Sequence, residues 1–185
     1  MTTHVSASAN ASTRYGGRLR EAAPGVRWPL GLTASSEQPW GAGQGVRPAG
    51  FAACGLDGQL RNAPQARRFL ASTLDRWALQ RVLPDAGLVV SELVTNAVQH
   101  ALEPGAGDLG EYPVWLGIFL HPDELVCAVT DPSSNPPCPR DAEASALGGR
   151  GLALISALSR TWSWSLTPPR GKTVWATLSL QPSSG

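Results

Sequence analysis

The sequence predicts an α/β sandwich of two layers, with amphipathic helices packed on a sheet. Residues 63–80 and 85–102 carry apolar side chains at helical spacing. Residues 114–120 alternate in the manner of a strand, and an apolar run over 125–129 follows a short turn. Because each of these segments has an apolar side to bury, helices and strands are expected to face one another as two layers.

The chain is predicted to consist of one domain and a tail. Its 185 residues, 42% of them hydrophobic, are enough for one sizeable core. Residues 1–47 are rich in glycine and proline and show no sustained periodicity. We therefore predict a disordered N-terminal tail over 1–47 and an ordered domain over 48–181.

Charge and cysteine content argue against several functions. A formal net charge of +1 provides no basic surface for direct binding to nucleic acid or membrane. No apolar run approaches the ~20 residues of a membrane span, and the first residues do not resemble a signal peptide. Three widely spaced cysteines favour reduced thiols over a disulfide framework or a metal cluster. These features predict a cytoplasmic protein. Its only lysine is Lys172.

The first predicted elements are a short edge strand over 51–56 and a helix over 63–80. Asn62 is the expected N-cap of this helix, and Pro64 lies in its first turn. Apolar residues recur from Ala66 to Trp77 at the spacing of one helix face.

The second helix, predicted over 85–102, carries a motif of chemical interest. Glu92, Asn96 and His100 follow one another at intervals of four residues, so a helix places them on one face. Apolar neighbours occupy the other side, which sets the three at the edge of the core. A carboxylate there can accept a proton, and an amide oxygen can bind Mg²⁺. A solvated helix face is the alternative interpretation of the same spacing.

The second half of the domain is predicted to contain a strand ending at Asp131 and an irregular, proline-rich loop over 132–147. Glycines at 148, 149 and 151 then precede a helix that ends near Leu158. Glycines at a helix N-terminus allow an anion to approach free backbone N–H groups. Two strands, over 161–167 and 172–180, are expected to complete the sheet.

These motifs together resemble the GHKL, or Bergerat, ATP-binding superfamily. Its four boxes correspond here to Glu92 through His100, Asp131, Gly149-Arg150-Gly151-Leu152 and Gly171-Lys172-Thr173-Val174. Over about residues 50–180 the chain is most similar to the anti-sigma-factor serine/threonine kinases and related ATP-binding regulators of GC-rich bacteria. The resemblance implies a mixed, mostly antiparallel sheet with three helices on one face, and ATP and Mg²⁺ as ligands.

The resemblance also implies roles for individual residues. Glu92 would be the general base, Asn96 would bind Mg²⁺ beside the phosphates, and Asp131 would accept a hydrogen bond from the adenine amino group. The remaining nucleotide-binding residues would be Gly149, Arg150, Gly151, Leu152 and Thr173. The loop over 132–147 would cover the nucleotide.

Two departures from the family pattern bear on activity. Relatives usually have glycine at the second and fourth positions after the strand-ending Asp, where this chain has Ser133 and Asn135. Many relatives have threonine directly after the glycine of the last box, where this chain has Lys172, with Thr173 one position later. The first departure stiffens the base of the lid, which leaves adenine recognition by Asp131 intact but affects closure over the triphosphate and therefore catalysis. The second weakens the case for a nucleotide contact by Thr173.

Three functions are compatible with these motifs. The first is an anti-sigma-factor-type kinase that phosphorylates an anti-sigma antagonist and binds a sigma factor. Many of its relatives are homodimers. The second is a non-catalytic ATP-binding regulator that acts through protein contacts. The third, a histidine kinase fragment, is the weakest, because no phosphoacceptor helix pair precedes the ATP-binding motifs.

Overall fold

A computed structural model of the chain describes residues 48–59, 61–100, 102, 112–137, 151–167 and 171–181. The predicted tail over 1–47, most of the predicted loop over 132–147, and Gly149 and Arg150 lie outside the described residues. Among the described helices, none combines the length and apolarity needed to cross a membrane.

In the described part of the chain, five strands and three helices form the α/β sandwich, as predicted. In chain order they are β1 (Gly50–Leu56), α1 (Asn62–Arg76), α2 (Leu83–His100), β2 (Val114–Leu120), β3 (Glu124–Asp131), α3 (Gly151–Leu158), β4 (Thr161–Leu166) and β5 (Lys172–Ser179). A single 3₁₀ turn, Gln80–Val82, connects α1 to α2.

The sheet, predicted to be mixed and mostly antiparallel, is antiparallel at every pairing of the described strands. Its strand order is β1-β2-β3-β5-β4. Strands β3 and β4 run in the same direction, but β5 lies between them and pairs antiparallel with both. Because β5 separates these two strands, they form no parallel ladder.

Helix α1 is shorter at its C-terminal end than predicted, and its N-cap is Arg61 rather than Asn62. Asn62 is the first helical residue, is fully buried, and donates through Nδ2 to Asp57 Oδ1 over 2.9 Å. The helix ends at Arg76, and Ala78 soon follows in the left-handed region with φ of 56°. That conformation cannot continue a right-handed helix. The last residues of the segment predicted to be helical, up to residue 80, therefore lie beyond the end of α1.

The main core lies between the three helices and one face of the sheet. Its largest fully buried side chains include Leu70 and Leu74 from α1, Val90 from α2, Ile118 from β2 and Ile155 from α3. Burial of each such side chain contributes about 1.5–3 kcal/mol. Helix α2 packs against both other helices and the sheet, so its position is strongly constrained.

Two of the three cysteines lie in this core. Cys54 and Cys127 are free, buried thiols. Burial raises the pKa of each to about 12, so both remain protonated and unreactive at neutral pH. The structure agrees with the prediction of reduced thiols at these two positions, and Cys138 lies outside the described residues.

Candidate nucleotide-binding site

Helix α2 places Glu92 and Asn96 at the edge of the core. Both side chains are partly buried, while Leu93, Val94 and Ala97 between and beside them are buried. His100, the third residue of the motif, is exposed at the last position of the helix. The structure therefore supports an edge position for Glu92 and Asn96, one helical turn apart on the same face.

The beginning of α3 lies directly against this pair. A methyl group placed on Gly151 would lie 2.7 Å from Glu92 Oε2 and 3.5 Å from both Asn96 Oδ1 and Nδ2. Glycine is the only residue that leaves this space open. Three of the residues predicted from sequence, Glu92, Asn96 and Gly151, are thus brought together by the packing of α3 on α2.

Apolar anchors hold the N-terminal end of α3 at this place. Leu152 and Ile155 are buried in the main core, at 8% and 0% exposure. The side chain of Leu152 therefore serves packing, and any ligand contact by this residue would use its backbone. The first-turn N–H groups of a helix lack intrahelical acceptors, which suits them to bind an anion such as a phosphate.

Asp131 ends β3 and is paired with Lys172 at the start of β5. Lys172 Nζ donates to Asp131 Oδ1 over 2.9 Å, and the two side chains are only 8% and 2% exposed. The backbone N–H of Ser133 donates to the same oxygen over 2.9 Å. Asp131 and Lys172 are direct cross-strand partners and share the sheet face on which the helices pack.

Two opposing influences act on the Asp131 carboxyl group. Burial raises the pKa of Asp131 above its usual value of 3.8, because a buried carboxylate loses hydration. The hydrogen bond and positive charge of Lys172, together with the Ser133 N–H, lower the pKa and offset part of this shift. Lys172 thus favours the ionised form of Asp131, which is the form that accepts hydrogen bonds at both oxygens.

Gly171 permits this approach of β5 to β3. Its φ of +108° lies in the region that favours glycine, and an added Cβ would overlap the carbonyl oxygen of Asp131. Gly171 N also donates to Ser134 Oγ over 3.3 Å. The glycine of the last box therefore brings the next residue, Lys172, close to the end of β3.

Thr173 lies on the other face of the sheet from Asp131. It pairs with Thr130, and its Oγ1 lies 2.7 Å from Thr130 Oγ1 and 2.9 Å from Thr167 Oγ1. Successive residues of a strand point to opposite faces, so Lys172 rather than Thr173 is beside Asp131. Sequence reasoning singled out Lys172 only as a departure and missed this pairing; its signal was the single lysine directly after Gly171.

The oxygen atoms of Glu92 and Asn96 are suited to Mg²⁺. No cluster of three or more His, Cys, Asp or Glu side chains that could hold a metal occurs within the described ranges. Mg²⁺ does not need such a cluster, because it commonly takes one or two protein oxygens and completes its shell with phosphates and water. The space beside Gly151 adjoins both candidate oxygen donors, so these residues fit a Mg²⁺–phosphate group.

A separate concavity lies at the opposite end of the sheet. Among the residues that line it are Trp77, Arg81, Leu120, His121 and Leu180. None of the predicted site residues lines it. We therefore place the candidate site by the contact of Gly151 with Glu92 and Asn96 rather than by this concavity.

A helix-edge carboxylate and amide, a glycine at a helix N-terminus and a buried strand-end aspartate define a class of nucleotide-binding α/β domains. The family described as the histidine kinase-like ATPase domain matches residues 56–178, and the chain belongs to this family. ATP binding is the property that this family assignment implies.

A solved structure shares the fold. The RsbU and RsbW domains of Rv1364c from Mycobacterium tuberculosis align with a TM-score of 0.53 and 21% sequence identity. The alignment covers 74% of this chain and 34% of that chain, so the matched part spans about a third of the length of the solved chain. No curated protein sequence was found to match.

Proposed function

We propose that this protein binds Mg²⁺-ATP and transfers its γ-phosphoryl group to a serine or threonine of an anti-sigma antagonist protein. The observation that carries the proposal is the contact of Gly151 with Glu92 and Asn96. It sets a potential proton acceptor, a metal-binding oxygen and a helix N-terminus around one space. Phosphoryl transfer requires mainly such positioning and charge neutralisation.

The adenine end of the proposed site is Asp131. Its carboxylate is buried, which suits it to accept a hydrogen bond from the adenine amino group in surroundings with little competing water. Asp131 lies on the sheet face that the helices cover. In this arrangement the base binds near the end of β3 and the start of β5, and the phosphates extend toward α2 and α3.

Each residue near the phosphates has a distinct role. Glu92 accepts the proton of the attacking serine or threonine hydroxyl. The hydroxyl oxygen forms a bond to the γ-phosphorus, while the bond between this phosphorus and the bridging oxygen of ADP breaks. Asn96 would hold Mg²⁺, which would neutralise phosphate charge when bound. The phosphates are contacted by backbone N–H groups at the start of α3, with Gly149, Arg150, Gly151 and Leu152. Because the side chain of Thr173 lies on the other face of the sheet, any contact of this residue with the nucleotide would use its backbone.

The fold of an RsbW domain is the basis for the proposed partners. That shared fold supports an anti-sigma antagonist as phosphoryl acceptor and a sigma factor as a second partner, within a transcription-regulating kinase of the cytoplasm that forms homodimers. A second candidate is a non-catalytic ATP-binding regulator. It is favoured by Ser133 and Asn135, which replace the usual glycines after Asp131 and stiffen the backbone.

Calorimetric titration with Mg²⁺-ATP tests the binding step. We expect saturable binding by the full chain and a clear loss of both affinity and phosphoryl transfer in Asn96→Ala, because that change removes the proposed metal ligand. Phosphoserine or phosphothreonine on a co-purified partner protein, identified by mass spectrometry, tests the transfer step. Binding without transfer would support the non-catalytic regulator, and no heat at millimolar ATP would contradict both functions.

Gly151→Ala is expected to reduce phosphoryl transfer without unfolding the protein. The added methyl group would lie 2.7 Å from Glu92 Oε2, and the end of a flexible side chain can move aside. Glu92 would then leave its position as proton acceptor, so transfer should decrease by about 10-fold or more. Unfolding in urea should remain close to that of the wild type.

Gly87→Ala is the matched control for this substitution. Gly87 lies within α2, and a methyl group there would meet nothing within 4 Å. Alanine should stabilise the helix by about 0.5–1 kcal/mol relative to glycine and leave transfer unchanged. Equal transfer by wild type and Gly151→Ala would show that the space beside Glu92 is not used.

A further inference from the structure

We propose that Lys172 is a second base-reading residue, which donates a hydrogen bond to N1 of adenine while Asp131 accepts one from the neighbouring amino group. This inference rests on the proposed ATP site and specifies how that site selects its base. It assigns a direct ligand contact to the position at which the chain departs from its relatives.

The contacts of the buried pair leave one donor and one acceptor available. Lys172 Nζ donates to Asp131 Oδ1 over 2.9 Å and to the carbonyl oxygen of Ser133 over 3.3 Å. A lysine ammonium has three N–H donors, so the described contacts account for two of them. Within the described residues, the hydrogen bonds to Asp131 both reach Oδ1, which leaves Oδ2 as an acceptor.

Adenine presents the complementary pattern on its Watson–Crick edge. Its 6-amino group is a donor, and the adjacent N1 is an acceptor, whereas guanine has an oxygen at position 6 and an N–H at position 1. An acceptor beside a donor therefore matches adenine, and guanine would have to reverse its orientation. Hydrogen bonds to this edge are a general means by which proteins identify an unpaired base.

The position of Lys172 is well defined for such a role. Lys172 is only 6% exposed. Its position is held by the cross-strand pairing with Asp131 and by the close approach of the backbone at Gly171. A hydrogen bond from a buried ammonium is charge-assisted and stronger than one between neutral groups. A lysine at the surface discriminates poorly between ligands because its long side chain is flexible, whereas the side chain of Lys172 is enclosed by the protein.

The decisive experiment compares ATP analogues on the wild-type full chain. In 1-deaza-ATP a C–H group replaces N1, so the proposed acceptor is lost while the amino group remains. We expect its affinity, measured by calorimetry with Mg²⁺, to be about 10- to 100-fold lower than that of ATP, the range for one hydrogen bond to a charged group. The control is 7-deaza-ATP, which keeps the Watson–Crick edge and should bind much more like ATP.

Variants of Lys172 connect the effect to this side chain. Lys172→Met should bind ATP and 1-deaza-ATP with similar affinity, and Lys172→Arg, which keeps a donor, should still prefer ATP. If Lys172→Met does not fold, the wild-type comparison alone decides. Equal affinity of the wild type for ATP and 1-deaza-ATP would overturn the role of Lys172 and leave ATP binding intact, whereas no binding of ATP would overturn the proposed function as well.

Discussion

Lys172→Met is expected to lower the free energy of unfolding by about 3–5 kcal/mol, the cost of leaving one charge of a buried pair without its partner. Asp131 and Lys172 are only 2% and 8% exposed at their side chains. Removal of the ammonium therefore leaves a carboxylate that water cannot fully hydrate. Urea denaturation followed by tryptophan fluorescence would measure the change.

Two controls separate this effect from a general loss of a salt bridge. Arg160 and Glu124 form an exposed pair, 61% and 21% exposed, with an N–O distance of 3.1 Å, so Arg160→Met should cost less than about 1 kcal/mol. The double variant Asp131→Leu with Lys172→Met should recover most of the lost stability, because it removes both buried charges. A similar loss for Lys172→Met and Arg160→Met would contradict the buried pair.

The stability of Lys172→Met should depend on pH in a defined direction. Burial already raises the pKa of Asp131 above 3.8, and Lys172 opposes that shift. Without Lys172 the folded-state pKa rises further, so the folded state binds a proton more readily than the unfolded state. Lys172→Met should therefore regain stability relative to wild type as pH falls through this raised pKa toward 3.8, and lose it again as pH rises.

Glu92→Gln is expected to reduce phosphoryl transfer by about 10²- to 10⁴-fold while ATP affinity changes little. Glutamine keeps the shape and hydrogen-bonding capacity of the side chain next to Gly151 but cannot accept the hydroxyl proton. Transfer of label from γ-labelled ATP to a co-purified partner protein would measure the rate, and calorimetry would measure affinity.

The matched control is Asp85→Asn on the same helix. Asp85 is exposed in the first turn of α2, two turns from Glu92, so its loss should leave transfer unchanged and weaken only the favourable interaction with the helix N-terminus. Full transfer by Glu92→Gln would exclude the general-base role and assign Glu92 to positioning alone.

Local pattern predicted most of the fold, and tertiary contacts accounted for the differences. The alternation in 114–120 and the apolar spacing of both long helices correspond to β2, α1 and α2. The end of α1 differed from the prediction because apolar residues continue beyond the helix into the turn that follows it. The strand order was also decided by tertiary contacts, because β5 lies between β3 and β4 and pairs with β3, which is distant along the chain.

The candidate site likewise depended partly on local sequence pattern and partly on tertiary contacts. The four-residue spacing of Glu92 and Asn96 is a local property, and the helix placed both at the core edge as predicted. Their contact with Gly151 required α3 to pack on α2, with Ile155 buried between the layers. Gly149 and Arg150 stay predictions, since they lie outside the described residues.

The sequence by itself determined the types of element, their order and the side chains available at their ends, because periodicity and glycine placement act over a few residues. Only the tertiary structure decided which of those side chains meet. Asp131 and Lys172 are 41 residues apart, and their pairing depends on the register of β5 against β3. A one-residue change in that register would have moved Lys172 to the other face of the sheet and set Thr173 beside the carboxylate.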